Sequence, residues 1–595
     1  MTRRSTHRSR LRAGIASATA LLALATASSA AAAPTTPSGL QAVATGPQQV
    51  SLAWTASTSA VSGYHVYRNG TLIGTSNPNA ASYLDDSSSL VNNTSYSYTV
   101  DAFDATGSSA ASAAVTAVPK AATANLTGCL NVPGSGHVKL TADITANSTT
   151  PCFKFGSTTA NSNLSLDCQG HTVTQNGPAD VIDIIGYTGF IVSNCVFVQN
   201  TSGGKVVKVS GGSYGRFVKS TFRSPNAAGL DGASLDIESS PFTIIGSSTS
   251  TQNQGNVFDH AYLEFHGSAD SYAGYNSSVQ QGNTSGAAIY VAQSDRTSVV
   301  NNSIDGGYVS NGTGDNGLDS GIMLYGPNDK LNVNGNTVSN TYNSGVESLG
   351  SLQNSQLKNN TFLSTAAGGI VGYYNTDFSF NTVSGNTINH SNHAFVFSAT
   401  YNTGFTAFPS PGFRVAYNTF TGNTLSDPTG SDPSMRIALL NPADVPAGTT
   451  VAATVTGNKL IGNDFTTTLP TPLFQPADTT ASPTTSTGNL CPSSTFIQCV
   501  YGKPMISATT ATRRADRSYT LASTIDPSGG PTHVVFQLGT TTAYGTNLET
   551  DVAAGPAAQA SKTTAVLVAG TTYHYRVVAT NAAGTATGLD LTFKP

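Results

Sequence analysis

One short phrase recurs through the middle of the chain: an asparagine that follows glycine or asparagine and stands two residues before an apolar side chain. The intervals between successive copies are 34, 24, 26, 37 and 35 residues, and the asparagines are Asn302, Asn336, Asn360, Asn386, Asn423 and Asn458. Such a repeat indicates a solenoid, because one coil alone cannot bury its inner face and stacked coils can. We expect the asparagines to occupy one equivalent turn and to hydrogen-bond along the stack, since short polar side chains tolerate turn dihedrals.

The repeat region resembles the pectate-lyase-like parallel β-helix proteins. Besides the asparagines, the resemblance rests on the phrase Leu-Asp-Cys-Gln-Gly-His-Thr-Val at residues 166–173, which is common near the start of such coils. It implies an all-β fold with a right-handed parallel β-helix over residues 120–501 and an extracellular polysaccharide as the partner. The fold hosts many chemistries, so the reaction has to be argued from individual residues.

Short alternating strands separated by turn residues predict a β-sandwich at each end, over residues 34–119 and 502–595. Both segments resemble fibronectin type III domains. Trp54 would be the buried tryptophan of the second strand, and Tyr96 and Tyr573 would be the two tyrosine corners. The resemblance implies spacers or weak adhesion modules that bind carbohydrate or a cell wall.

The first 33 residues have the order of a secretory signal, with five arginines, an apolar run and a final stretch of alanines. No later stretch reaches the roughly 18 apolar residues of a spanning helix, so we expect a secreted protein without a membrane partner. Removing five arginines and no acid takes the formal charge from −4 to −9. This sign disfavours nucleic acid as a partner.

Six cysteines in an exported chain predict disulfides. Pairing sequence neighbours gives Cys129 with Cys152, Cys168 with Cys195, and Cys491 with Cys499. None of them has the C-x-x-C spacing of a zinc or redox site.

Aligning one strand across the coils predicts an outward column, because side chains alternate along a strand and equivalent positions on neighbouring coils lie about 4.8 Å apart. The inner positions are apolar apart from Ser348 and Gly372. The outward column is Asp183, Lys208, Asp236, Glu264, Tyr290, Met323, Glu347, Val371 and Val396. Two residues further along, a parallel column holds Glu238, His266, Tyr325 and Tyr373.

This face carries the groups that a glycan site needs, since acids transfer protons and flat rings line sugar subsites. The candidate catalytic residues are Glu264, Asp236, Glu238, His266 and Glu347, and the candidate substrate-binding residues are Lys208, Tyr290, Tyr325 and Tyr373. The alternative is a solvated face with ordinary cross-strand charge pairs. Glu347 lies about three coils from Glu264, on the order of 14 Å, which is too far for one shared carboxylate pair.

We favour a glycoside hydrolase without a cofactor, with Glu264 as general acid, Asp236 or Glu238 as its partner and His266 as an orienting group. Asp236 would lie about 5 Å from Glu264 and about 6.7 Å from Glu238, which leaves retention and inversion both open.

Two alternatives remain. The resemblance implies a polysaccharide lyase that would use Lys208 as base and calcium held by acidic side chains on a uronate polymer. Against it, residues 122–500 contain 13 basic and 22 acidic side chains, which would repel a polyanion. The second alternative is a non-catalytic adhesion or wall-associated protein, with the β-helix as a rigid stalk.

Overall fold

The computed structural model describes most of the chain after the predicted secretory signal. It covers residues 33–595 except for 122, 133–135, 157–160, 226–233, 250–253, 281–285, 309–316, 392, 399–412, 427–436, 442–452, 465–473, 476–484, 488–503, 528–530, 554–556 and 582–583. The signal up to residue 32 and the predicted Cys491–Cys499 pair lie outside these residues. Within them every element is a strand, and no helix of membrane-spanning length and hydropathy occurs.

The central part is a parallel β-solenoid, as predicted. The coils contribute strands to three parallel sheets, here named sheet 1, sheet 2 and sheet 3 in the order in which a coil with all three strands passes through them. Apolar side chains from all three sheets form one continuous core cluster.

Sheet 1 has 14 strands. They are Ala124–Leu126, Gly136–Leu140, Asn161–Asp167, Tyr187–Ser193, Ser213–Val218, Ile244–Gly246, Tyr272–Gly274, Ser298–Val300, Asn332–Asn334, Gln356–Lys358, Thr382–Ser384, Thr419–Thr421, Lys459–Ile461 and Thr485–Thr487.

Sheet 2 has 11 strands. They are Ile144–Ala146, Thr172–Gln175, Val196–Gln199, Thr221–Arg223, Val257–Asp259, Ser277–Val279, Ser303–Asp305, Thr337–Thr341, Thr361–Thr365, Thr387–Asn389 and Thr424–Ser426.

Sheet 3 has 16 strands and contains the predicted columns. They are Leu130–Val132, Phe153–Phe155, Ile182–Ile185, Val207–Ser210, Ser234–Glu238, Tyr262–His266, Ala287–Ala292, Ser320–Tyr325, Asn328–Asp329, Ser344–Gln353, Gly368–Ser379, His393–Ser398, Phe413–Ala416, Ile437–Asn441, Ala453–Thr456 and Phe474–Gln475.

An asparagine ladder occupies the turn from sheet 1 to sheet 2. Each side-chain amide donates to the Oδ1 of the asparagine one coil on, at 2.8 to 3.1 Å, and that Oδ1 also accepts the backbone N–H. The ladder consists of Asn256, Asn276, Asn302, Asn336, Asn360, Asn386, Asn423 and Asn463. The predicted stacking is confirmed for five of the six asparagines.

The prediction for Asn458 is wrong. Asn458 lies in the turn from sheet 3 to sheet 1, where its Oδ1 accepts from Nδ2 of Asn418 at 3.0 Å. The first ladder continues through Asn463 instead. The two turns use nearly the same phrase because both need a short amide that can hydrogen-bond to the coil above and below.

Two predicted disulfides are present. Cys129 bonds Cys152, and Cys168 bonds Cys195. Both join successive coils near the start of the solenoid, and disulfides are typical of oxidising, extracytoplasmic compartments.

Antiparallel strands form two sheets on the N-terminal side of the solenoid. One sheet contains Ser38–Gly46, Gln49–Thr55 and Ser82–Asp85. The other contains Gly63–Arg68, Thr71–Ser76, Tyr96–Asp104, Gly107–Ser108 and Val115–Ala117. The two sheets share one core cluster that includes Trp54, and the hydroxyl of Tyr96 accepts a hydrogen bond from the N–H of Val91 at 2.9 Å.

The C-terminal side repeats this arrangement. One sheet contains Met505–Arg513, Tyr519–Asp526 and Ala558–Thr563. The other contains Thr532–Gly539, Thr546–Val552, Tyr573–Asn581, Gly584–Thr587 and Leu591–Phe593. The hydroxyl of Tyr573 accepts from the N–H of Val568 at 3.3 Å. The assignment of both sandwiches to the fibronectin type III family, and the predicted domain boundaries, stay predictions.

The ladder makes a testable prediction at Asn360, which is fully buried. Asn360→Ala removes an acceptor for both N–H donors of Asn336, and each buried donor left unpaired costs about 1–3 kcal/mol. We therefore expect a clear fall in the midpoint of urea unfolding. Asn334→Ala, one coil earlier and partly exposed, is the matched control. Equal midpoints for the two variants would contradict the structural role of the ladder.

Candidate active site on sheet 3

The strands of sheet 3 pair in the register that the sequence predicted. Asp183, Lys208, Asp236, Glu264 and Tyr290 are consecutive partners, and the column continues through Met323, Glu347, Val371 and Val396. The parallel column also forms, and Glu238 pairs with His266. Ala292 lies between His266 and Tyr325, and Leu349 lies between Tyr325 and Tyr373.

The columns are less exposed than the sequence suggested. Leu235, Ile237, Leu263 and Phe265, the neighbours of the two central acids, belong to the core cluster, so the acids point away from the core. Even so, five members of the first column are buried, namely Asp236, Glu264, Glu347, Val371 and Val396. Strand alternation decides which way a side chain points but not what covers it.

Two carboxylates and an imidazole converge at the centre of the face. One ligating atom each of Asp236, Glu264 and His266 lies within 4.8 Å of the others. His266 Nε2 is 3.0 Å from Glu264 Oε2. Lys205 Nζ lies 3.6 Å from Glu264 Oε2 and 3.8 Å from Asp236 Oδ2.

The second oxygens of both acids are buried, and among the described residues neither has a hydrogen-bond partner. Burial raises the pKa of Asp236 to about 6, against the opposing effect of the Lys205 ammonium. The hydrogen bond to Glu264 raises the pKa of His266, and burial opposes this only in part. One acid of the pair therefore titrates close to neutrality while the other lies beside two basic groups.

Lys205 is the residue that the sequence analysis missed. It precedes the strand Val207–Ser210, so it belongs to neither column, and its long side chain brings the ammonium to both acids. Its backbone N–H donates to Asp180 Oδ1 at 2.6 Å. The sequence did offer one signal for this role: Lys205 is a second basic residue, just before the strand that carries Lys208.

A row of rings leads away from the acids along the solenoid axis. The ring centroids of His266 and Tyr290 are 5.4 Å apart, and those of Tyr290 and Tyr325 are 5.6 Å apart. Burial raises the pKa of Tyr290. Tyr373 lies two coils beyond Tyr325 and donates to Asn343 Oδ1 at 3.0 Å, so it stands apart from the row.

On the other side of the acids, Lys208 Nζ is 3.3 Å from Glu238 Oε2. Burial acts to lower the pKa of Lys208, but the bond to Glu238 and the nearby carboxylates raise it above its ordinary value. Asp183, one coil earlier, is buried enough for its pKa to rise to about 7, with Asp180 adding to the shift.

Glu347 lies three coils from Glu264, as the sequence predicted, and does not join the central group. Its Oε2 accepts a hydrogen bond from Ser320 Oγ at 2.5 Å, and Ser320 Oγ also lies 2.9 Å from Ser344 Oγ. Burial raises the pKa of Glu347 to about 7. Its surroundings are those of a buried structural carboxyl.

The central group does not fit calcium, the ion that the lyase alternative implies. Calcium takes six to eight oxygen ligands. Here one of the three converging groups is an imidazole, and the Lys205 ammonium already stands beside both carboxylates. Calcium stays a prediction of that alternative.

No protein-family model matches the chain. It is 45% identical over 98 residues to exoglucanase B of Cellulomonas fimi, a match that spans 16% of this chain and 9% of that protein. It is 38% identical over 160 residues to a poly(3-hydroxybutyrate) depolymerase of Ralstonia pickettii, spanning 27% and 29%. A third match, 45% identical over 92 residues, is to an α-amylase of Niallia circulans and spans 15% and 7%. The chain thus covers less than a third of each of these relatives.

The solved structures that the chain matches have low sequence identity and low TM-scores. The catalytic unit of a GH87 α-1,3-glucanase from Streptomyces thermodiastaticus is 12% identical, with 77% of this chain and 90% of that chain covered and a TM-score of 0.35. The A-module of the mannuronan C-5 epimerase AlgE6 from Azotobacter vinelandii is 14% identical, with 46% and 87% covered and a TM-score of 0.30.

The buried carboxyl of Glu347 makes the stability of the solenoid depend on pH. Its pKa is about 7 in the folded chain against 4.5 as the ordinary value, so the folded state holds the proton more tightly. Stability is then fully present below pH 4.5 and falls as pH rises through 7, by at most ~3 kcal/mol. Glu347→Gln keeps an acceptor for Ser320 and removes this loss.

Urea unfolding of both proteins at pH 4.5 and pH 8 measures the effect. The variant should lose less stability than the wild type between the two values. Glu549→Gln, at an exposed position of the C-terminal sandwich, serves as control. The same pH dependence in all three proteins would show that Glu347 does not titrate as described.

Proposed function

We propose that this chain is a secreted glycoside hydrolase that cleaves a neutral extracellular polysaccharide on the outer face of sheet 3. The observation that carries the proposal is the pair Asp236 and Glu264, two converging carboxyls on adjacent coils in different surroundings. Glycosidases need such a pair, with one carboxyl protonated and the other ionised.

The contacts support a division of roles. Glu264 Oε2 lies 3.0 Å from His266 Nε2 and 3.6 Å from Lys205 Nζ, so two basic groups surround this carboxylate oxygen. Asp236 is 3% exposed, and its pKa of about 6 keeps a proton available under mildly acidic conditions. We therefore assign the general acid to Asp236 and the nucleophile to Glu264, the reverse of the order expected from sequence. His266 keeps the orienting role.

In the proposed reaction Asp236 donates its proton to the glycosidic oxygen while Glu264 attacks the anomeric carbon. Water then hydrolyses the glycosyl ester, and Asp236, now ionised, takes the proton from that water. One oxygen of each acid lies within 4.8 Å of the other, which is shorter than the roughly 6.5 to 9.5 Å between the carboxyls of inverting enzymes. The proposed reaction therefore retains the configuration.

The surroundings of the pair support a neutral sugar. Tyr290 and Tyr325 would bind successive sugar rings along the solenoid axis, as aromatic side chains do in ligand sites. Lys208 is paired with Glu238, and its raised pKa makes it a poor base for β-elimination. Two of the partial relatives are named for action on glucans, an exoglucanase and an α-amylase. Export from the cell and cell-wall attachment through fibronectin type III-like sandwiches belong to the same proposal.

A polysaccharide panel tests the reaction class. Reducing ends without ultraviolet absorbance mean hydrolysis, both signals together mean a lyase, and binding without either means an adhesion module. Glu264→Gln and Asp236→Asn should each lower kcat by at least about 100-fold, the scale of lost acid–base or nucleophilic catalysis. Glu549→Gln is the control, and full activity in either site variant would exclude this pair.

The pH profile tests the assignment of the acid. Because Asp236 must be protonated, kcat/KM should fall as pH rises through about 6. Lys205→Met removes a charge that lowers the pKa of Asp236, so the fall in kcat/KM should move to higher pH. Lys154→Met, which removes the charge at an exposed position three coils from Asp236, should leave this fall in kcat/KM at the same pH. If Lys205→Met did not shift the pH at which kcat/KM falls, the role of Asp236 would be contradicted.

A further inference from the structure

A groove of about 700 Å³ lies between the N-terminal sandwich and sheet 1, on a different sheet from the acids. Its walls are held together by contacts across the boundary. Ala53 and Ala80 of the sandwich form one apolar cluster with Ile244, Tyr272 and Val300 of sheet 1. Ligand sites occur preferentially at domain interfaces of this kind.

Further polar contacts fix the sandwich on the solenoid. Arg216, fully buried, donates from Nε to Ser51 Oγ at 3.0 Å. Asn77 donates to the carbonyl of Ser248 at 2.7 Å. The sandwich that lines one side of the groove is thus fixed on the solenoid by direct contacts.

Two hydrogen-bonding groups in the wall of the groove have no partner among the residues that the structure describes. They are the indole N–H of Trp54 and the hydroxyl of Ser82, and each of these residues is only 3% exposed. Buried polar groups in native proteins are nearly always hydrogen-bonded, so two orphans in one wall require an explanation. Both atoms lie beneath the surface of the wall, so a ligand with oxygen acceptors would reach them as the wall opens on binding.

The floor of the groove is a polar row. Ser298, Asn332 and Gln356 are consecutive partners in sheet 1, so a hydroxyl and two amides repeat at about 4.8 Å along the solenoid axis. Phe242 adds a half-buried ring that stacks on Tyr214, with centroids 4.9 Å apart and planes at 10°.

The charges in the lining are already neutralised. Arg296 binds Asp270 through two hydrogen bonds of 2.7 Å each. Lys330 Nζ lies 2.5 Å from Asp329 Oδ2. Because each cation is paired with a carboxylate, neither offers an unpaired positive charge to an anionic ligand, and the groove favours a neutral ligand.

We infer that this groove is a second glycan-binding site, which holds a neutral polysaccharide chain on sheet 1 while the carboxyl pair acts on sheet 3. Hydroxyl-rich rings would hydrogen-bond to the orphan groups and to the polar row, and would pack their apolar faces on Phe242. The inference rests on the proposed function only for the class of ligand.

Affinity gel electrophoresis of the full chain tests the site. The probes are two neutral glucans, β-linked hydroxyethyl cellulose and α-linked soluble starch. The parent protein carries Glu264→Gln, so that it does not cleave the probe and the result stands whether or not the wild-type chain is a hydrolase. We expect at least one of the two glucans to retard it.

Asn332→Trp, added to this parent, fills the floor of the groove and should weaken retardation at least about tenfold. Asn334→Trp, two residues along the same strand and outside the lining, should leave retardation unchanged. Thermal unfolding of each variant checks that the fold is intact.

Two results would overturn the inference. One is a parent that neither glucan retards. The other is retardation that survives Asn332→Trp but is lost with Tyr290→Ala, which would place the binding on sheet 3. Retardation lost only with Asn332→Trp would support the groove even if no hydrolysis were found.

Discussion

The solenoid depends on hydrogen bonds that run from coil to coil along its axis. Backbone bonds join the parallel strands, and in the turns the asparagine ladder gives each side-chain amide both an acceptor and a donor in the neighbouring coils. Because these amides are buried, a slipped coil would leave several polar groups unpaired at once. The ladder therefore makes the stability of the solenoid depend on the register of its coils. The same register decides which residues become neighbours on sheet 3.

This dependence explains how much the sequence could predict. The strict alternation of inner and outer residues, together with the asparagine repeat, was enough to align nine strands and to place Asp236 beside Glu264. It could not assign Asn458, because two different turns use the same phrase and only the stacked coils distinguish them. Nor could it find Lys205, whose ammonium reaches the acids from a neighbouring turn through a long side chain.

The alternating pattern of the strands also could not predict how deeply the column residues are buried. The alternation along a strand predicts which way a side chain points. Its exposure depends on the neighbouring side chains, such as the rings of His266 and Tyr290 near the acids. The same uncertainty affected the roles of the two acids. Their identities follow from sequence. The raised pKa of Asp236 follows from desolvation, and the contacts of Glu264 with His266 and Lys205 form only in the folded chain.

The single tryptophan has two environments. Its ring packs edge-on against Tyr64 in the core of the N-terminal sandwich, with centroids 5.3 Å apart, while its N–H lies in the wall shared with sheet 1. Since no other tryptophan exists in the chain, its fluorescence reports on that one boundary. Separation of the sandwich from the solenoid would then change the fluorescence spectrum before either part unfolds. Trp54 is therefore an intrinsic probe of the contact between these two parts of the protein.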